Sequence, residues 1–203
     1  MITPVCKKGT QAINYFARKK GGEINKMKAI KLLYLADRYH LRKYGRPVVG
    51  DRYYAMKWGA VGSTALNIAN FEQKSLDREC LGYIKEFLVP NKKTEKVESV
   101  ISKKEVDLDV FSQTDIDALE VVFKEFGDQD QFELALLTHD YPEWYRFEKE
   151  IMSGKKKRVP MDYTDFFKNS RKREDRIFAL AQDHLTLSEE MFVENFEAEK
   201  VLQ

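Results

Sequence analysis

The feature that most constrains this chain is a carboxylate set inside an apolar helix stripe. Ile30, Leu33, Tyr34, Asp37, Leu41 and Tyr44 recur at the three-and-four spacing that lines one face of a helix. Five of the six are apolar or aromatic, so the face is expected to bury, and Asp37 with it. An unpaired buried carboxylate costs on the order of several kcal/mol, so the fold must bring Asp37 a cation or a set of hydrogen-bond donors. His40 lies one turn on, and Arg46 follows just past the helix end. The spacing predicts a helix over residues 28–44, stopped by Gly45 and Pro47. Gly50-Asp51 then turns the chain into a short aromatic strand over residues 52–58. A Gly-Ala-Val-Gly turn follows, and Ser63 is a good N-cap for the next helix.

The rest of the chain supplies ample core for such a helix. Of 203 residues, 43% are apolar and 12% aromatic, which suits one domain or one domain with an extension. There is no run of about 18 apolar residues to cross a membrane, and the N-terminus lacks the apolar stretch of a signal peptide. Cys6 and Cys80 are too few for a disulfide framework and lack metal-ligand spacing. The chain therefore reads as soluble and cytoplasmic. Its net charge of +2 hides an asymmetry: residues 1–60 carry fourteen Lys/Arg against Glu23, Asp37 and Asp51, whereas residues 105–150 carry fourteen acids against Lys124, Arg146 and Lys149. Either the two regions face each other within one fold, or a basic face meets an acidic partner or a nucleic acid. The basic residues are spread around helices rather than gathered in one arm, which weakens the nucleic-acid version.

Taken in order, residues 10–19 are expected to form a first helix, broken by Gly21-Gly22, so that it and the 28–44 helix make a hairpin. A DNA-binding helix-turn-helix has the same outline but needs an exposed polar face on its second helix, and Leu32-Leu33-Tyr34-Leu35 is too apolar for that. Residues 63–71 form a third helix, 72–82 look irregular, and 83–89 and 97–101 are strand candidates joined by a polar stretch. Ser112 or Thr114 caps a helix whose apolar residues Ile116, Leu119, Val122, Phe123 and Phe126 keep a clean 3.6 period up to Gly127. Residues 132–137 read as a short helix, 153–158 as a basic linker, and 161–169, 173–184 and 187–196 as helical segments. The fold class is α+β and mostly α-helical: a compact helical domain with a small β hairpin or short sheet.

Candidate catalytic sets lack support. Asp37, His40 and His139 would be the residues of a metal site, but patterns such as HExxH or paired CxxC are absent. His139-Asp140 has the makings of a general base and its orienter, without a nucleophile elbow beside it. The glycines at 59 and 62 are neither a P-loop nor a dinucleotide fingerprint. No cofactor is expected, and an enzyme is the weaker reading. Tyr53, Tyr54 and Trp58 are candidate partner-contact aromatics, with ordinary core as the alternative.

Lys31-Leu-Leu-Tyr-Leu-Ala-Asp37, His40, Tyr44-Gly-Arg-Pro47, Gly50-Asp51, Ala55 and Gly59-x-Val61 resemble the signature of the Panacea domain, the SocA-like antitoxin domain also met in phage-associated GepA-like proteins of bacteria. Phe111-Ser112, Asp115, Leu119, Phe126-Gly127, Leu134, Leu137-Thr-His139 and Pro142-x-Trp144 are similar to that family's second half, in order. The resemblance covers about residues 8–150, and Ala60 departs from it where the family has Pro. It implies a Panacea domain over residues 1–150; residues 151–203 lie outside the resemblance and read as a helical C-terminal extension packed on or following the domain. It also implies the antitoxin of a type II toxin–antitoxin pair, binding a toxin protein; the family's toxins differ widely, and translation-blocking ones are among them. The SocA branch delivers its toxin to a protease, so an adaptor is one alternative, and a nucleic-acid-associated regulator is another. Within this frame Asp37, His40, Tyr44, Arg46, Asp51, His139 and Trp144 are expected to form one buried network, with Asp37 paired to Arg46 or His139.

Overall fold

The computed structural model describes residues 1–171, 175 and 177–201. The first helix, α1 (Pro4–Lys19), begins earlier than its apolar period suggests. Thr3 accepts a hydrogen bond from the Cys6 amide, and Pro4 occupies the first turn, where its missing N–H costs nothing. Gly21 and Gly22, both at positive φ, turn the chain into strand β1 (Glu23–Asn25). The Asn25 side chain then accepts from the Met27 and Lys28 amides and starts α2 (Lys26–Tyr44), which Gly45 ends in the left-handed conformation. Strands β2 (Tyr53–Met56) and β3 (Gly59–Gly62) pair as an antiparallel hairpin and lead into α3 (Ser63–Asn70).

The next segment differs from its sequence reading. Residues 72–82 are not irregular throughout, and 83–87 are not strand: Asp77 caps α4 (Arg78–Phe87), accepting from the Cys80 amide at 2.7 Å. Cys80 and Ile84 bury on one face at the i, i+4 spacing of a helix, while the Tyr83 and Phe87 rings, again four apart, lie 4.9 Å from each other. The aromatic composition suggested strand; the spacing was helical. Cys80 is moreover disulfide-bonded to Cys6, tying α4 to the start of α1, where the cysteine count alone pointed to no such framework. Strands β4 (Leu88–Lys93) and β5 (Lys96–Ser102) follow, so most of the polar 90–96 stretch is strand.

Ser112 caps α5 (Gln113–Phe126) in a capping box with Asp115, and Asp130 does the same with Glu133 for α6 (Gln131–Leu137). Short helices α7 (Pro142–Tyr145) and α8 (Glu148–Met152) lead to β6 (Arg158–Pro160), a 3-10 turn at Tyr163–Phe167 in place of the helix expected over 161–169, and α9 (Gln182–Val201). Residues 173, 174 and 176 of the helix expected over 173–184 lie outside the described residues, and Ile177 and Phe178 form a turn. Two three-stranded antiparallel sheets, β1-β5-β4 and β3-β2-β6, flank the helices, giving an α+β, mostly helical fold. Among the described residues no helix is long and apolar enough to cross a membrane.

Helix α2 lies at the centre, packed by α1, α3, α5, α6 and α9. It is buried on nearly every side, and three of its cations are buried with it: Lys31, Arg38 and Arg42 are each at most 1% exposed, while Lys26 and Lys43 near its ends are half-buried. These three cations are thus not part of a solvated face. Arg38 Nη1 donates to both carboxylate oxygens of Glu143 on α7, at 2.5 and 2.7 Å, and lies 4.1 Å over the Tyr141 ring. The Tyr34 hydroxyl donates to the same carboxylate. Arg42 donates to the carbonyls of Phe166, Lys168 and Phe178 and to the Asn169 side chain, at 2.8 to 3.0 Å. Phe166, Phe167 and Phe178 join the main core, so the segment past residue 150 packs into the same interior.

Removing one partner of a buried ion pair strands the other. Glu143→Ala is expected to cost about 3–5 kcal/mol in urea unfolding, and Arg38→Ala/Glu143→Ala less than the two single losses added. Strictly additive losses would show that the pair contributes no coupling.

Candidate functional site

Asp37 finds donors rather than a cation. Its carboxylate accepts from the Val49 amide at 2.8 Å, the Gly50 amide at 3.0 Å and the Tyr53 hydroxyl at 2.9 Å. The expected pairing with Arg46 or His139 is not what forms, for a local reason. The left-handed Gly45, Pro47 and Gly50 (φ 75°) fold the chain straight back over α2, so the nearest donors are backbone amides twelve and thirteen residues on. Burial pushes this carboxyl up to about 6, against the pull of its three donors.

Asp51, on the same loop, caps α3 from a distance. Its carboxylate accepts from the Thr64 and Ala65 amides at 2.9 and 2.7 Å, the role expected of Ser63. Gly62 is required beneath it, because a Cβ there would stand 2.4 Å from the Asp51 carboxylate oxygen. The Tyr163 hydroxyl donates to the Asp51 carbonyl at 2.6 Å, and the Tyr53 and Tyr163 rings pack edge to face.

His40 and Arg46 belong to a second cluster. His40 Nδ1 lies 2.7 Å from the Arg46 carbonyl, which fixes the proton there and leaves Nε2 to accept from the Thr114 hydroxyl at 3.0 Å. The Tyr44 ring lies 4.6 Å from the imidazole. Arg46 reaches Asp115 at 2.8 Å as well as Ser112 and Thr114, and Lys8 reaches Asp115 at 2.9 Å. Burial alone would raise the Asp115 carboxyl; Lys8, the Ser112 amide and Arg46 outweigh it and hold the group below the usual carboxylate range. Desolvation, in turn, lowers His40 to about 4.

The third cluster joins α6 and α7 to the hairpin. His139 stacks on Trp144 with centroids 3.7 Å apart, and Trp144 Nε1 donates to the Met56 carbonyl at 2.9 Å. Thr138 accepts from the Ala60 amide at 3.1 Å, while Lys31 donates to the Ala60 carbonyl at 2.6 Å. Close approach makes Gly59 obligatory, since a Cβ would meet the Thr138 hydroxyl at 2.0 Å. Lys31 has no carboxylate partner among the described residues, and desolvation lowers its amine to about 7.

The seven residues expected to share one network therefore divide among three sets: Asp37 and Asp51; His40, Tyr44 and Arg46; His139 and Trp144. Sequence reasoning missed Lys31, Arg38, Arg42, Glu143 and the pairing of Asp115. The signal for the cations was their seven- and four-residue spacing along α2, a stripe as regular as the apolar one beside it. Of the three candidate contact aromatics, Tyr53 is core, Tyr54 is half-buried beneath Arg158, and Trp58 alone is exposed, at 57%. Among the described residues no group of three or more His, Cys, Asp or Glu is placed to hold a metal ion.

A family model described as antitoxin SocA-like, Panacea domain, matches residues 30–145, from the second turn of α2 through Trp144 and Tyr145. The chain belongs to this family. All three clusters of the Panacea domain fall within or against that span, and family membership supports an antitoxin role. No curated protein matches the chain, and no solved structure does.

Three titrations follow from burial. His40 folds neutral, so its contribution is fully present above pH 6.5 and is lost as pH falls from 6.5 towards 4. Asp37 works the other way, favouring its protonated form and losing that contribution as pH rises from 3.8 to 6. In His40→Gln the loss of unfolding free energy between pH 6.5 and 4 is expected to shrink by roughly 2–3 kcal/mol; an unchanged slope would contradict the assignment. Lys31 also folds towards its neutral form, so wild-type stability should climb as pH rises from 7 to 10.5. Lys31→Met is expected to be roughly 1–3 kcal/mol more stable at pH 7 and to lack that climb, as read by urea unfolding at each pH.

Proposed function

We propose that the chain is the antitoxin of a type II toxin–antitoxin pair and neutralises a cognate, translation-inhibiting toxin by direct protein–protein binding. Family membership over residues 30–145 carries the reading. The polar geometry is consistent with a binding scaffold: the buried Asp37, Asp51, Asp115, Arg38 and Glu143 are occupied in holding helices and turns to one another. In this reading Asp37, His40, Tyr44, Arg46, Asp51, His139 and Trp144 keep the shape of the surface, and toxin contacts lie on exposed neighbours, Trp58 first among them. The protein acts in the bacterial cytoplasm and performs no catalysis. Burial of Lys31, Arg38 and Arg42 takes those cations away from any phosphate backbone, which counts against the nucleic-acid regulator.

The test is co-expression with the product of the adjacent reading frame. Alone, that neighbour is expected to arrest growth; with this protein, growth returns and the two elute as one complex. A harmless neighbour would overturn the reading. Rescue accompanied by loss of the neighbour, and abolished by deleting a protease, would replace direct neutralisation with delivery to that protease.

A further inference from the structure

A cavity of about 360 Å³ opens between the N-terminal half of α2, the tip of the β2–β3 hairpin, α3 and the end of α8. Its walls are apolar: Met27 and Ile30 from α2, Val61 from β3, Leu66 from α3 and Ile151 from α8, with Trp58 standing at one side. Protein interiors normally close such a space, so an open one with apolar walls marks a place where a ligand group supplies the missing contacts. The apolar surface continues past the mouth, because Trp58 packs against Phe132 at 6.1 Å while 57% and 52% of the two residues stay exposed, and Leu136 nearby is 63% exposed. A partly exposed tryptophan beside a pocket is the residue type that anchors interfaces.

Charge decides the kind of occupant. Lys26, Lys57, Lys156 and Lys157 line the cavity along with the buried Lys31, and no carboxylate lines it. Lys156 has an ion pair with Glu150 and Lys26 a hydrogen bond to Asn70, so the rim already engages acceptors presented to it. The apolar walls suit an aliphatic or aromatic side chain, and the lysine rim suits carboxylates on either side of it.

We propose that this pocket seats one bulky apolar side chain from an acidic segment of the bound toxin, while the rim lysines pair with the flanking carboxylates. The proposal rests on the antitoxin reading and names the surface that does the binding. Four forms of the protein separate the outcomes: wild type, Lys57→Glu/Lys157→Glu on the rim, Leu66→Trp to fill the void, and Lys92→Glu/Lys93→Glu on exposed β4 as an equal charge reversal elsewhere. Each is titrated against the purified product of the adjacent reading frame, with growth rescue and melting temperature measured in parallel. Both pocket variants are expected to weaken binding at least about tenfold and to lose rescue, while the β4 variant matches wild type. The rim change is on exposed side chains and leaves the melting temperature near wild type, so the proposal stays testable if Leu66→Trp does not fold. Equal affinity of the rim variant and wild type overturns it. A fluorescein-labelled single-stranded oligonucleotide bound by wild type but not by the rim variant also overturns it, in favour of a nucleic acid. If wild type itself fails to neutralise the neighbour, the antitoxin reading falls; if wild type rescues and the pocket variants rescue equally, only this surface does.

Discussion

The structure depends on burying a charged helix. An α-helix that is covered on all sides is ordinarily apolar on all sides, but α2 carries Lys31, Arg38 and Arg42 into the interior together with Asp37. Each cation left without a partner would oppose folding by several kcal/mol, roughly, so the elements around α2 must deliver acceptors to it. Glu143 answers Arg38, carbonyls between Phe166 and Phe178 answer Arg42, and the Ala60 carbonyl answers Lys31. These acceptors come from α7, from the segment beyond β6 and from the hairpin. Their placement is thereby fixed by the needs of one helix.

Anions are handled by a different device. Asp37, Asp51 and Asp115 each accept from backbone amides, and each marks a place where the chain changes direction: after α2, before α3 and at the start of α5. Amides at such corners have no partner within a helix or sheet, so a carboxylate that takes one, two or three of them locks the turn: Asp115 takes one, Asp37 two and Asp51 three. Only Asp115 adds cations, Lys8 and Arg46, and its carboxyl is held below the ordinary range, while that of Asp37 rises. Asp115 has cations for partners, whereas Asp37 has only neutral donors and is the more deeply buried of the two.

How much of this was legible follows from the range of each interaction. The α2 stripe, its stop at Gly45, the strand at 53–56 and the capped α5 are local patterns, and the sequence carries them within one or two turns; the Gly-Ala-Val-Gly stretch, expected as a turn, is strand β3. Asp37 was legible as a group in need of partners but not as to which, because two amides and a hydroxyl carry no mark in the residue letters. The Arg38–Glu143 pair spans 105 residues and the Cys6–Cys80 bond spans 74, and no spacing rule links positions that far apart. Helix α4 was read in part as strand over 83–89, although the 80/84 and 83/87 pairs keep helical period.

The polar bonds that satisfy most of the charged interior around α2 also hold the surface beside it. Trp58 sits on a hairpin whose Gly59 is wedged against Thr138 and whose Ala60 is held through both its amide and its carbonyl. The same hairpin is bound on its other edge by β6 and beneath by Trp144 through the Met56 carbonyl. A side chain exposed on so constrained a backbone loses little conformational entropy when a partner covers it, which favours affinity. The buried clusters and the exposed tip are therefore two ends of one construction: interior polar bonds fix the hairpin, and the hairpin presents an apolar edge beside a lysine-ringed pocket.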